Sequence, residues 1–169
     1  YLASKVVVLG ALVAAQISVF VVITLGGRDV PESGLLLNSA FAEVLLVSVL
    51  LGWISMIVGL LISSLVNTSE VTMPALVLVT MAQVVLSGAV PIRYGGLLDV
   101  IGTVNPGYWA MSWLGALTDL NELAALDEDD QGTFWAFSES NAETSALFLI
   151  GLGLVALVVA RVLLRVRNR

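Results

Sequence analysis

The 169-residue chain contains no cysteine and no histidine. The first absence excludes disulfides and thiolate metal sites, and the second removes the commonest proton shuttle and metal ligand at neutral pH. A catalytic centre is therefore not expected. Lysine is almost as scarce. Lys5 stands alone with no glycine before it, so it cannot complete the GxxxxGK[ST] loop that cradles nucleotide phosphates. No cofactor is expected on this segment. Charged residues make up only 12%, the balance is -6, and the basic residues sit mainly in a short tail, which argues against nucleic acid as a partner. What fills the chain instead is apolar, at 59% of residues with a mean hydropathy of +1.02, far beyond what one buried core requires. This is the composition of a membrane protein.

A hydrocarbon layer of ~30 Å takes ~20 helical residues, and a helix satisfies its own amides where lipid cannot. Crossing segments are therefore sought in the gaps between charges, which run Val6 to Gly27, Val44 to Ser69, Val71 to Ile92, Val100 to Thr118 and Thr144 to Ala160. Four are read as spans, at about 6–27, 44–66, 72–92 and 144–164. The first ends at Gly26-Gly27-Arg28-Asp29-Val30-Pro31, which cannot continue a helix. Pro74 is placed in the first turn of the third, where a missing amide is tolerated. Ser140 and Glu143 have capping-box spacing for the start of the fourth, and Arg161 near its end can snorkel to the interface.

The gap from Val100 to Thr118 is 19 residues and long enough to cross, but the signs of the charges argue against a fifth span. With four spans both ends lie on one side, which gathers Lys5, Arg161, Arg165, Arg167 and Arg169, and the positive-inside rule makes that side cytoplasmic. The other side receives Arg28, Arg93 and the acidic stretch from Asp119 to Glu143. Asn105-Pro106-Gly107 would also break a fifth helix near its middle. Residues 94–143 are thus read as an outer segment, with Tyr94 to Leu117 a re-entrant or interfacial pair of short helices. Its aromatics, Tyr94, Tyr108, Trp109, Trp113, Phe134, Trp135 and Phe137, read first as an interfacial belt and second as a ligand platform. Asp127, Asp129 and Gly132 fall on calcium-loop positions, but Ser138 stands where the bidentate Glu belongs, so a solvated acidic loop is expected and no metal.

Within the second span Ser48, Gly52, Ser55, Gly59 and Ser63 recur every three or four residues, a line of small side chains expected to be a helix-packing seam, with a pore-lining face as the alternative. In the first span, Gln16 is expected to make an interhelical hydrogen bond. In the third, Thr80, Gln83 and Ser87 form one polar stripe, the best candidate for a face turned to a translocation path, with interhelical bonding as the plain reading. Glu43 is expected as an anchor at headgroup level, or else as a proton site.

The order of these elements resembles a known family. "YLASK" leads into a span, "NTSEVTMP" forms a cytoplasmic loop, "LSGAVPI" closes a span and "NPGYW" lies in the outer segment. Ser87-Gly88 followed by Pro91, and Asn105-Pro106 followed by Tyr108, carry most weight. The pattern resembles the transmembrane domain of ABC-2 type ATP-binding-cassette exporters, the class that includes the G subfamily, and looks closest to the permease part of actinobacterial half-transporters with forkhead-associated domains. The resemblance implies six spans per protomer, of which the last four are present. It also implies a dimer with a second permease protomer, ATP-Mg bound by an ABC ATPase domain on the same or a separate chain, and a bacterial plasma-membrane setting. Substrate would pass between protomers. Thr80, Gln83, Leu86, Ser87 and Val90 would flank the path, Pro91, Asn105, Pro106 and Tyr108 the outer gate, and Asn67, Ser69 and Glu70 the loop facing the ATPase.

The sequence reading is therefore an all-α membrane protein with four transmembrane helices and an outer re-entrant segment. Its expected function is the permease segment of an ATP-driven exporter of a lipid-like or amphiphilic substrate, working by alternating access among membrane lipids. The alternatives are a membrane scaffold without transport and a proton-coupled carrier.

Overall fold

The structure is a computed structural model that describes residues 2–27, 33–65, 69–88, 97–120 and 137–167. Among the described residues six helices follow in order: α1 (Leu2–Leu25), α2 (Ala40–Leu65), α3 (Ser69–Val85), α4 (Leu97–Gly102), α5 (Pro106–Leu117) and α6 (Glu139–Arg167). There is no strand among the described residues, and the chain is an all-α membrane protein. Among the described residues three stretches are long and apolar enough to cross a bilayer, Val6–Leu25, Ala40–Ser63 and Glu139–Val162.

The third expected span is shorter than the sequence implied. α3 has 17 residues, about 26 Å at ~1.5 Å per residue, and its apolar part is Thr72–Val85. It starts at Ser69, so Pro74 lies inside the helix rather than in its first turn. It stops at Val85 because the chain turns through Leu86 and Ser87 into Gly88, whose φ of +76° is one that glycine adopts without a Cβ penalty. Residues 89–92, expected as its last turn, lie outside the described residues.

Between α4 and α5 the Asn-Pro-Gly break acts as a helix start. Asn105 is extended at φ -80° and ψ 121°, its Oδ1 accepts from the Gly107 N–H at 3.1 Å, and Pro106 takes the first helical position, where its missing amide costs nothing. The two short helices expected between Tyr94 and Leu117 are thus α4 and α5. The start of α6 differs from expectation in a similar detail. Ser138 caps it, its Oγ accepting from the Asn141 N–H at 3.1 Å, while Ser140 sits in the first turn and its carbonyl accepts from the Thr144 hydroxyl.

α2 is the hub, packed against α1, α5 and α6, and only lightly against α3. The core lies where α2, α5 and α6 meet: Val47 and Ile54 from α2, Ala110 and Trp113 from α5, Ala142 and Leu149 from α6. Small residues set the close approaches. A Cβ on Gly153 of α6 would lie 3.1 Å from Ile54 Cγ1, and one on Gly52 of α2 would run into Ile17 of α1 and lie 3.0 Å from Val13 Cγ1. α1 and α2 are further tied by the Trp53 indole, whose Nε1 donates to the Gly10 carbonyl at 2.9 Å.

Candidate functional site

The most enclosed polar groups gather at the end of the bundle where α2 begins. Glu43 lies in the first turn of α2 and is fully buried. Burying a carboxylate is costly unless hydrogen bonds replace the lost water, and three do. The Trp113 indole of α5 donates to Oε1 at 2.5 Å, and the backbone N–H groups of Leu36 and Leu37 donate to Oε2 at 3.1 and 3.3 Å. One side chain thus fastens the loop before α2 and the middle of α5 to the α2 start. Gly34 is required by that closeness, since a Cβ there would run into Glu43 Oε2 and stand 2.5 Å from the Leu37 carbonyl. Beside it, the Ser145 hydroxyl of α6 donates to Ser112 of α5 at 3.1 Å, both buried, and Ser112 lies 3.5 Å from Asn141 Oδ1.

A second junction joins α3 to α5. Asn105 Nδ2 donates to the Gln83 carbonyl at 2.8 Å, so the residue that caps α5 also holds the last turn of α3. Ser87 lies against Gly107, where a Cβ would be 3.3 Å from the Ser87 Cβ. Tyr108 packs edge-on to Trp109, which stacks face to face on Phe148 of α6 with ring centroids 4.2 Å apart, and the Trp109 Nε1 donates to the Thr103 carbonyl at 2.8 Å.

Of the path candidates, Gln83, Leu86 and Ser87 meet this junction, together with Asn105, Pro106 and Tyr108. Thr80 sits one turn away, exposed, with its hydroxyl donating to the Leu76 carbonyl of its own helix at 2.8 Å. Val90, Pro91 and Asn67 lie outside the described residues, as do Tyr94, Phe134, Trp135 and the acidic stretch 121–136, and of Ser69 and Glu70 only the backbone is described. The small residues of α2 do not share one environment. Gly52 presses on α1, a Cβ on Gly59 would meet nothing within 4 Å, and Ser63 is exposed. The most buried line on α2 runs beside them, through Glu43, Val47, Ile54 and Ile57.

Sequence reasoning placed Glu43 at the headgroup level, whereas the folded chain closes over it. The pairing with Trp113 spans 70 residues and leaves no local pattern; the one available signal was an acid lying directly before an apolar run.

The chain is 29% identical over 157 residues, 92% of its length, to an ABC transporter ATP-binding/permease protein of Mycobacterium tuberculosis. It spans only 18% of that relative. No family model and no solved structure matches it.

Proposed function

We propose that these helices form the permease segment of an ATP-driven exporter of the ABC-2 type, moving a lipid-like or amphiphilic substrate across a bacterial plasma membrane. The observation that carries this is the similarity, across nearly the whole chain, to a protein named as both ATP-binding and permease. The absence of a P-loop here agrees with it, since ATP-Mg would then be bound by an ABC ATPase domain outside these residues. A second permease protomer completes the transporter, and the path alternates between inward and outward openings as the ATPases close and open. Both ends of the segment are cytoplasmic in this reading, with Ser69 and Glu70 facing the ATPase.

What supports a path along α3 is its sparse packing. Met73, Val77, Leu78 and Met81 are exposed, and near its end the Gln83 carbonyl accepts from Asn105. A weakly polar, largely apolar wall suits an amphiphile better than an ion. The junction of Asn105 with α3 would form the outer gate. The Glu43 carboxylate gives no support to a proton carrier, because it is fully buried and its described partners are all donors.

The test is ATP-driven movement of a fluorescent phospholipid by the full protein in liposomes. Flux that needs ATP and falls at least about fivefold in Gln83→Leu, a loss equivalent to one hydrogen bond of ~1 kcal/mol, is expected. Movement indifferent to ATP, or none in well-folded protein with any amphiphile, overturns the reading.

A further inference from the structure

α3 and α5 meet end to end but are held very differently. Seven of the twelve residues of α5 are buried, among them Ser112 and Trp113, which hydrogen-bond to α6 and to Glu43. α3 has no buried side chain among those described. Pro74 removes an amide inside α3 near its start, and Gly88 turns the chain just past its end. A helix packed so lightly, with a break in its bonding near each end, can move as a unit against a fixed neighbour. Where the two meet, one side chain serves both. Asn105 Oδ1 accepts from the Gly107 N–H and caps the start of α5, while Nδ2 donates to the Gln83 carbonyl in the last turn of α3. Carbonyls in a last turn lack a donor within their own helix, so an outside amide suits them. The pairing also sets the negative end of the α3 dipole against the positive end of α5. An ionised aspartate would cap α5 equally well but could not donate to Gln83. The two halves of the Asn105 amide therefore do separable work.

We propose that Asn105 is a latch: its Nδ2 holds the end of α3 to a stationary α5, and release of that one bond lets α3 swing away. Asn105 is thus a positioning residue for α3, apart from its role in starting α5. Opening the latch parts Ser87 from Gly107 and leaves the contacts of α5 with α2 and α6 in place. This deepens the outer-gate reading by naming the member that moves and the bond that holds it, and rests on that reading only for what passes when the latch opens.

Two cysteine pairs in the full protein, free of other cysteines, test the latch by their rates of disulfide formation in native membranes. Oxidation is run at about pH 8, where a carboxylate capping a helix N-terminus is ionised. Ser87→Cys with Gly107→Cys spans the latch, where the Cβ atoms would lie 3.3 Å apart, near the ~3.5–4.5 Å of a disulfide. Ser112→Cys with Ser145→Cys spans the enclosed side of α5, where the two hydroxyls are 3.1 Å apart. Asn105→Asp is expected to slow the first pair by about fivefold or more, the worth of one hydrogen bond, and to leave the second unchanged. Thermal unfolding of Asn105→Asp alone should stay near wild type because the cap survives, whereas Asn105→Ala loses cap and latch together and should unfold earlier. An unchanged rate at 87 and 107, slowing of both pairs, or an Asp variant as unstable as the Ala variant overturns the proposal. The readout is proximity, so a protein whose latch behaves in this way but moves no lipid would sink the transport reading and leave this one standing.

Discussion

The two ends of α2 live in different surroundings. Near its start one side is enclosed by α5, α6 and the preceding loop, with Glu43 and Val47 fully buried. Farther along, Gly59 borders open space and Ser63 is exposed, although the composition is equally greasy. The difference shows that in a uniformly apolar helix the buried side is chosen by what the neighbours bring, here one carboxylate, one indole and a few small residues. This contrast between an enclosed end and an open one can be attacked at both ends.

The largest effect is expected at Glu43. Replacing it by Ala strands the buried Trp113 indole, at about 1–3 kcal/mol, and leaves the part-buried Leu36 and Leu37 amides to water at smaller cost, so the loss of stability should reach about 2 kcal/mol. Thermal unfolding in detergent, followed by loss of the monodisperse peak, measures it. Glu43→Gln keeps one acceptor oxygen and should fall between wild type and Ala. An Ala variant as stable as wild type would mean the enclosed end is not held by this carboxylate.

A middle-sized contrast is expected between two glycines seven residues apart. Gly52→Ile drives a side chain into Ile17 and Val13, and overpacking of that kind costs about 1–3 kcal/mol. Gly59→Ile meets nothing and should be neutral, or slightly stabilising through the better helix propensity of Ile. Equal losses at both sites would show that the space beside Gly59 is filled by an element beyond the described helices.

The contrast also shows what could be read without the structure. The helices were legible because hydrocarbon forbids unpaired amides and most charges, so charge-free gaps and the Asn-Pro-Gly break marked α1, α2, α5 and α6 to within a turn or so. α3 was read too long because Gly88 ends it inside an uncharged stretch, where no charge signals the stop. Of the small-residue line on α2, Gly52 presses on α1 while a Cβ on Gly59 would meet nothing. The enclosure of Glu43 was missed for a different reason. Its enclosure depends on Trp113 and on backbone groups of Leu36 and Leu37, and nothing local in the sequence brings those three donors together.

The smallest effect on stability, and the sharpest test of the proposed path, is expected at Thr80. Its hydroxyl donates within its own helix, and its surroundings are exposed, so Thr80→Val removes a methyl-sized polar group that holds nothing else in the fold. Unfolding should shift by no more than about 0.5 kcal/mol. If α3 borders the substrate, ATP-driven lipid movement should nevertheless fall about fivefold, the equivalent of one hydrogen bond of ~1 kcal/mol, with little change in ATP hydrolysis. Unchanged transport would remove Thr80 from the path and leave Gln83 and Ser87, at the junction with Asn105, to carry it. A loss of stability without loss of transport would place α3 among the packed elements instead, and the division between an enclosed end and an accommodating periphery would have to be redrawn with α3 on the enclosed side.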